Sequence, residues 1–264
     1  MIALNVGLSL RMVLAMKPIS EGEVLRALSR VHDPELDTPI TELGIVDKIV
    51  VSDDGSVEVA IVMPTYWCSP NFTYIILEDV KLALSRLKGV SRVRVVLKGH
   101  HEAERISRCI NEGLKFDECF PDEAKGSVEA LRSKFKEKAL RARLYALIKV
   151  LLRRGFRLSE IAQLELDDVA VVESGSRVVI NLKGRSVILS GVDAKIAVRY
   201  LDILRELGLD SGRLVKTSVE GYTPTAEELE RLMSAMRSTA TNLSFNAELC
   251  KLLLLSRVSR RESS

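Results

Sequence analysis

Met63-Pro64-Thr65-Tyr66-Trp67-Cys68-Ser69-Pro70-Asn71 runs from the end of an apolar strand pattern directly into the start of a helical one. Upstream, Gly44 to Val51 and Ser56 to Met63 are rich in Val and Ile and are joined by Asp53-Asp54-Gly55. Asp-Gly accepts the positive φ angles of a tight turn, so this pair reads as a β-hairpin. Downstream, Asn71 opens a pattern through Ile75, Ile76, Val80, Leu84 and Leu87 that stops at Gly89, and Val90 to Leu97 reads as a third strand. Before the hairpin, Ser20-Glu21-Gly22-Glu23 forms a capping box, predicting a helix from Ser20 to Val31 with Val24, Leu25, Leu28 and Val31 buried. The order is αββαβ, an α+β domain over residues 20–98.

The strand-to-helix corner is also where chemistry is expected. A thiol beside a helix's first turn meets unpaired N–H groups and the positive end of the dipole, which favour the thiolate that ligates metals or attacks electrophiles. Thr65 and Ser69 place hydroxyls beside Cys68. The opposing reading makes Cys68 a small hydrophobe packed against Trp67, the only tryptophan. His32-Asp33-Pro34-Glu35 reads as a turn closing the first helix, and His100-His101 has no metal-binding spacing.

A length of 264 residues suggests two domains, and 47% hydrophobic with 28% charged residues excludes collagen-like, low-complexity and wholly disordered chains. Residues 1–19 form an apolar N-terminal segment interrupted by Arg11, matching neither a membrane span nor a secretory signal. Residues 99–157 read as a helical extension and a basic helix. Its last part, residues 125–157, holds eleven Lys or Arg against Glu129 and Glu137, a local excess of +9 in a chain of net +3. Residues 158–264 read as a smaller mixed helix and β-hairpin interaction domain. It has a short helix at Leu158–Ala162, strands at Val169–Val172, Val178–Leu182 and Ser186–Leu189, and a helix at Asp193–Leu207. Two more helices follow, one after Thr223-Pro224 capped by Thr225 and Glu228, the other at Leu243–Leu255, before a frayed tail from Ser259. The four cysteines lie far apart without a C-x-x-C pair, which predicts neither a disulfide scaffold nor a zinc ribbon and fits a reducing cytoplasm.

Residues 20–98 resemble the PaaD and SufT-like family of iron-sulfur cluster assembly domains. The resemblance is carried by Asp33-Pro34-Glu35, Glu42-Leu43-Gly44-Ile45-Val46, Thr65 with Cys68, and Leu87-Lys88-Gly89-Val90 leading into Val93 and Val95. It implies an α+β fold and a role in delivering or maturing iron-sulfur centres. Asp33, Glu35, Thr65 and Cys68 stand at the matching motif positions as cofactor-binding residues, with Cys68 the metal ligand. One departure is Cys68-Ser69-Pro70, where the family often has Cys-Pro. His101-Glu102-Ala103, Ile110-Asn111-Glu112-Gly113, Phe116, Phe120, Leu131-Arg132, Phe135 and Lys138-Ala139 are similar to an extension carried by a subgroup associated with metal-dependent oxygenase systems.

One thiolate does not hold a cluster that normally takes four cysteine ligands. The expectation is therefore transient coordination of an iron-sulfur cluster or iron, or client docking, centred on Cys68 with Asp33 and Glu35 on a polar rim. Apo-metalloenzyme clients and iron-sulfur assembly proteins are the implied partners, with a homodimer pairing two Cys68 residues as one way to complete a site. Neither a G-x-x-x-x-G-K-[ST] loop nor a G-x-G-x-x-G fingerprint occurs, so a non-enzymatic factor is expected. The alternative is non-catalytic nucleic-acid binding. Gly155-Phe156-Arg157-Leu158-Ser159-Glu160-Ile161 and the hairpin Lys183-Gly184-Arg185 resemble a fragment of the tyrosine recombinase core, making Arg157, Lys183 and Arg185 candidate phosphate contacts. No histidine follows His101, so that family's H-x-x-R element is missing, and neither Tyr200 nor Tyr222 has a nucleophile's context.

Overall fold

A computed structural model describes residues 19–122 and 127–262, so the expectation for the apolar N-terminal segment lies outside the described residues. Helix α1 (Glu21–Leu28) starts on the anticipated box: Ser20 Oγ accepts the Glu23 N–H, and the Glu23 carboxylate accepts the Ser20 N–H. Two short strands, β1 (His32–Asp33) and β2 (Thr38–Pro39), pair antiparallel around the Asp33-Pro34-Glu35 turn. The one-turn helix α2 (Ile40–Leu43) follows and ends on Gly44 at φ 78°. That left-handed cap is why the next strand, β3 (Val46–Val51), begins two residues later than the apolar pattern does.

Strand β4 (Ser56–Val62) pairs antiparallel with β3, and helix α3 (Pro70–Ser85) crosses to β5 (Arg92–Lys98), which lies parallel to β4. A Cβ on Gly55 would sit 2.4 Å from the Gly89 carbonyl oxygen, so the β3–β4 turn needs glycine for space as well as for its φ of 80°. The αββαβ order therefore stands, with the β1–β2 ribbon and α2 added between its first helix and its sheet.

Helices α4 (Ala103–Glu112) and α5 (Phe116–Cys119) close against this sheet and α3, and the 26-residue α6 (Val128–Arg153) leads away. Helix α7 (Leu158–Ile161) precedes an antiparallel sheet of β6 (Val169–Val172), β7 (Arg177–Leu182) and β8 (Arg185–Ser190), followed by α8 (Gly191–Glu206) and α9 (Ala226–Glu262). The molecule is α+β, with one three-stranded sheet in each half and the two-stranded β1–β2 ribbon in the first.

Two expectations are corrected. The helices anticipated after Pro224 and at Leu243–Leu255 form one 37-residue helix that continues through the expected frayed tail to Glu262. The stretch around Thr239 to Asn242 does not break it, because packing holds both flanks, with the Thr239 hydroxyl turned back onto the Ala235 carbonyl within the helix. Leu229 and Met236 belong to the core of the second half, whereas Ala247 and Leu254 belong to the core of the first. The cysteines also depart from the reading without disulfides. Gly113 ends α4 in a left-handed turn that reverses the chain into α5, bringing Cys109 and Cys119 to a Cα separation of 6.2 Å, where they are bridged.

The basic excess is largely neutralised by the acidic remainder. From α6, Arg132 binds Glu78 and Asp79, Lys136 binds Glu206, Arg143 binds Asp37, and Arg153 and Arg154 share Asp193. The helix is a strut between the halves, with partners on both. Among the described residues no helix is long and apolar enough to cross a membrane.

Candidate functional site

Cys68 lies just before α3, one residue ahead of the N-cap Ser69 and two ahead of Pro70 at the first helical position. It is half-buried, and Thr65 Oγ1 stands 3.3 Å from its sulfur. Trp67 is 74% exposed, so the packed alternative for this corner lacks the tryptophan it invoked. The ring of Trp67 instead meets Tyr66 edge-on and leans over His101, giving the corner an exposed aromatic rim.

His100 fixes the loop from behind. Its Nε2 lies 2.7 Å from the Cys68 carbonyl oxygen and its Nδ1 accepts the Glu102 N–H at 3.0 Å. A carbonyl only accepts, so Nε2 carries the proton and the ring is neutral. Burial, the largest cause, keeps the His100 pKa below its ordinary value. His100 thus holds the backbone of Cys68 and does not face its thiol as a base. Sequence reasoning missed this role because it depends on β5 ending beside the corner.

Asp33 is buried by the β1–β2 ribbon, and its Oδ1 accepts the N–H groups of Glu35 and Leu36, both at 2.9 Å. Those bonds favour the carboxylate, but desolvation outweighs them and raises its pKa to about 6. Arg143 and Arg199 hold the ribbon, both reaching Asp37. His32 and Asp33 line a cleft of about 930 Å³ together with Asp37, Asp79, Arg132 and Arg143.

Cys250, on α9, is the residue that the sequence did not bring forward. It is half-buried against the first core, as is Cys68, and it lies within electrostatic reach of Asp33, Cys68 and Glu35. Of the anticipated residues, Thr65 stands on Cys68, Asp33 accepts the Glu35 N–H, and the charges of Asp33, Cys68 and Glu35 add to burial in raising the Cys250 thiol. The available signal was the helical spacing of Ala247, Cys250 and Leu254, which puts Cys250 on the inward face of its helix. Among the described residues no three His, Cys, Asp or Glu side chains are preassembled around a metal-sized point.

The nucleic-acid candidates lie elsewhere. Arg185 stacks over Phe156 and donates to the carbonyls of Arg154 and Gly155, Lys183 bonds Gln163, and Arg157 pairs with Glu160. Tyr200 is fully buried, its hydroxyl donating to the Leu214 carbonyl and accepting the Lys216 N–H.

Comparison with known proteins addresses the first half. The model of the family described as "Iron-sulfur cluster assembly protein" matches residues 21–95. An Fe-S protein maturation auxiliary factor of Porphyromonas gingivalis is 33% identical over 78 residues, covering 30% of this chain and 72% of that protein. The chain belongs to the iron-sulfur cluster assembly protein family. The family match contains Asp33, Glu35, Thr65 and Cys68, whereas Cys250 lies beyond it. The iron-sulfur cluster carrier protein of Mycobacterium tuberculosis is 42% identical over 79 residues, 30% of this chain, but the chain spans only 20% of that protein. An uncharacterized protein of Methanocaldococcus jannaschii is 29% identical over 97 residues, 37% of this chain and 96% of its own length.

Proposed function

We propose that this family member is a non-enzymatic accessory factor of cytoplasmic iron-sulfur cluster assembly, which engages iron or a cluster in passing and docks apo-clients at Cys68. The cluster is cargo, received from assembly proteins and passed on, and this chain's residues bind and release it. The observation that carries the reading is the placement of Cys68. Its half-buried thiol stands at a strand-to-helix corner, backed by the Thr65 hydroxyl and with its backbone pinned by His100. Asp33, from a buried position, and Glu35, half-buried, supply acidic charge, and Trp67 and Tyr66 supply exposed aromatic surface of the kind that anchors protein partners. A site with too few ligands to keep a cluster suits transfer better than storage.

Anaerobic iron and sulfide reconstitution of the wild type and Cys68→Ala, followed by metal analysis and sizing, tests this. The wild type is expected to take up labile iron that a client or chelator removes, and Cys68→Ala to take up none. A Cys68→Ala protein that loads iron like the wild type and matures client enzymes normally in cells would contradict the proposal.

A further inference from the structure

Where α9 lies on the first half of the molecule, it carries apolar side chains on two opposite faces. Ala247, Cys250 and Leu254 form the inward face, packed against the first core, and Arg257 anchors the helix by donating to the carbonyls of Met63 and Gly99. On the other side Phe245, Leu249 and Leu252 follow one another at spacings of four and three residues, which aligns them in one row. They are 67%, 45% and 63% exposed, and Leu253 beside them is 40% exposed. One apolar face is enough to seat a surface helix, so a second one calls for a second neighbour. Glu248, the charge on this outer side, is already paired with Lys251 at 2.8 Å.

We infer that the outer face of α9 is the contact of a homodimer, in which the helices of two copies lie antiparallel across a twofold axis near Leu249. The row matches itself in that arrangement. Phe245 stands four residues before Leu249 and Leu253 four after it, so Phe245 of each copy meets the partner's Leu253 while the two Leu249 side chains meet at the axis. A large side chain offers on the order of 200 Å² when free, so these four, at 40–67% exposure, present on the order of 400 Å² of apolar surface per copy. Interfaces are about three-fifths apolar, which scales that to roughly 1,300 Å² buried in total, within the range of specific dimers. The core packing and Arg257 hold the helix in place beforehand, so little ordering cost falls on association. A helix lying on a membrane would border its apolar face with Lys and Arg, whereas Asn242, Asn246 and Glu248 border this one. The inference is independent of the role of Cys68, and it puts the contact between copies on α9 rather than at two paired Cys68 residues.

Sedimentation equilibrium of the full chain over a range of concentrations tests this. The wild type is expected to form a reversible dimer with a dissociation constant in the micromolar range or below. Leu249→Glu sets two carboxylates against each other at the axis and Leu249→Lys two ammonium groups, and each should weaken the dimer by about 100-fold or more. An equal mixture of the two variants brings unlike charges together and should recover at least about tenfold of that loss. Leu25→Glu, at a leucine on α1 that is 47% exposed, should dimerise like the wild type. Urea unfolding midpoints close to the wild-type value check that the substituted chains stay folded. A wild type that stays monomeric at every concentration overturns the inference, whether the chain's own residues or a different protein then cover this face. So does a dimer that both Leu249 variants leave intact, or one that mixing them fails to restore.

Discussion

Arg143 closes a two-pronged ion pair on Asp37, with Nε at 2.8 Å and Nη2 at 2.6 Å from the two carboxylate oxygens, and only 11% and 10% of the respective side chains remain exposed. The pair joins the strut helix α6 to the ribbon that carries Asp33. Arg199 adds a bond to the Asp37 carbonyl oxygen at 2.7 Å, and Asp37 holds a positive φ of 51°. Truncating one partner of a buried pair leaves an uncompensated charge. Arg143→Met is expected to cost about 3 kcal/mol in urea unfolding, the low end for such a loss because Arg199 stays beside the carboxylate. Arg143→Met with Asp37→Asn should recover part of it. A loss below about 1 kcal/mol, the range of exposed pairs, would show that the strut does not hold the ribbon.

Asp33 gives the pH dependence. Its folded pKa of about 6 lies above its unfolded value of 3.8, because burial disfavours the carboxylate. The folded state thus binds the proton more tightly. Asp33's contribution is most favourable below the unfolded pKa and is lost as pH rises through about 6. Asp33→Asn keeps an oxygen for the Glu35 and Leu36 N–H groups and removes the titration. Between pH 4 and 7.5 the variant should gain about 2 kcal/mol relative to the wild type, measured by urea unfolding at each pH. A constant difference across that range would show that Asp33 is not desolvated.

Much of the first half is legible in sequence because its signals are local. Ser20 and Glu23 cap each other within one turn, and Gly55 lies where no other residue fits. What stayed hidden depends on long-range packing. Nothing local shows that the Thr-rich middle of α9 remains helical, since Met236 and Ala247 fix it against two different cores. Cys250 reads as one more apolar position until that helix is folded back onto the first core. The basic stretch of α6 likewise resembles a nucleic-acid surface until Glu78, Asp79, Asp37, Asp193 and Glu206 are brought to it.

That neutralisation sets the expectation for duplex DNA. Affinity from phosphate contacts follows the number of basic groups offered, and the binding constant falls with salt by nearly one power per phosphate neutralised. With Arg132, Lys136, Arg143, Arg153 and Arg154 in ion pairs and Arg185 on backbone carbonyls, a titration at two salt concentrations should give weak binding with a shallow slope of about 2 or less. A slope of about 6 or steeper would show that these pairs open for phosphate.

The Cys109–Cys119 bridge closes a short loop, spanning ten residues in sequence, that carries α5 and Phe116, whose ring stacks on Phe120 just beyond the bridge. In the chain-entropy picture a loop of that size stabilises by about 2–3 kcal/mol. Cys119→Ser, or the wild type kept reduced, should lose about that much in chemical denaturation. Mass analysis under denaturing, thiol-blocking conditions should count two free thiols before reduction and four after. Four before reduction would remove the bridge.

His100 makes the corner itself testable. Its ring bridges the Cys68 carbonyl and the Glu102 N–H, so removing it frees the loop without touching the sulfur. Loss of one such bond is worth about 1 kcal/mol, or about fivefold in the population of an opened loop. In His100→Ala the half-buried Cys68 should therefore react with iodoacetamide about fivefold faster, while Cys250, held by α9 and not by this loop, keeps its rate as an internal reference. His100→Gln retains a side-chain N–H able to reach a carbonyl and should fall between the two. An unchanged Cys68 rate in His100→Ala would mean that the β4–α3 turn is rigid without its anchor. A parallel rise at both cysteines would instead mean that α9 lifts with the loop.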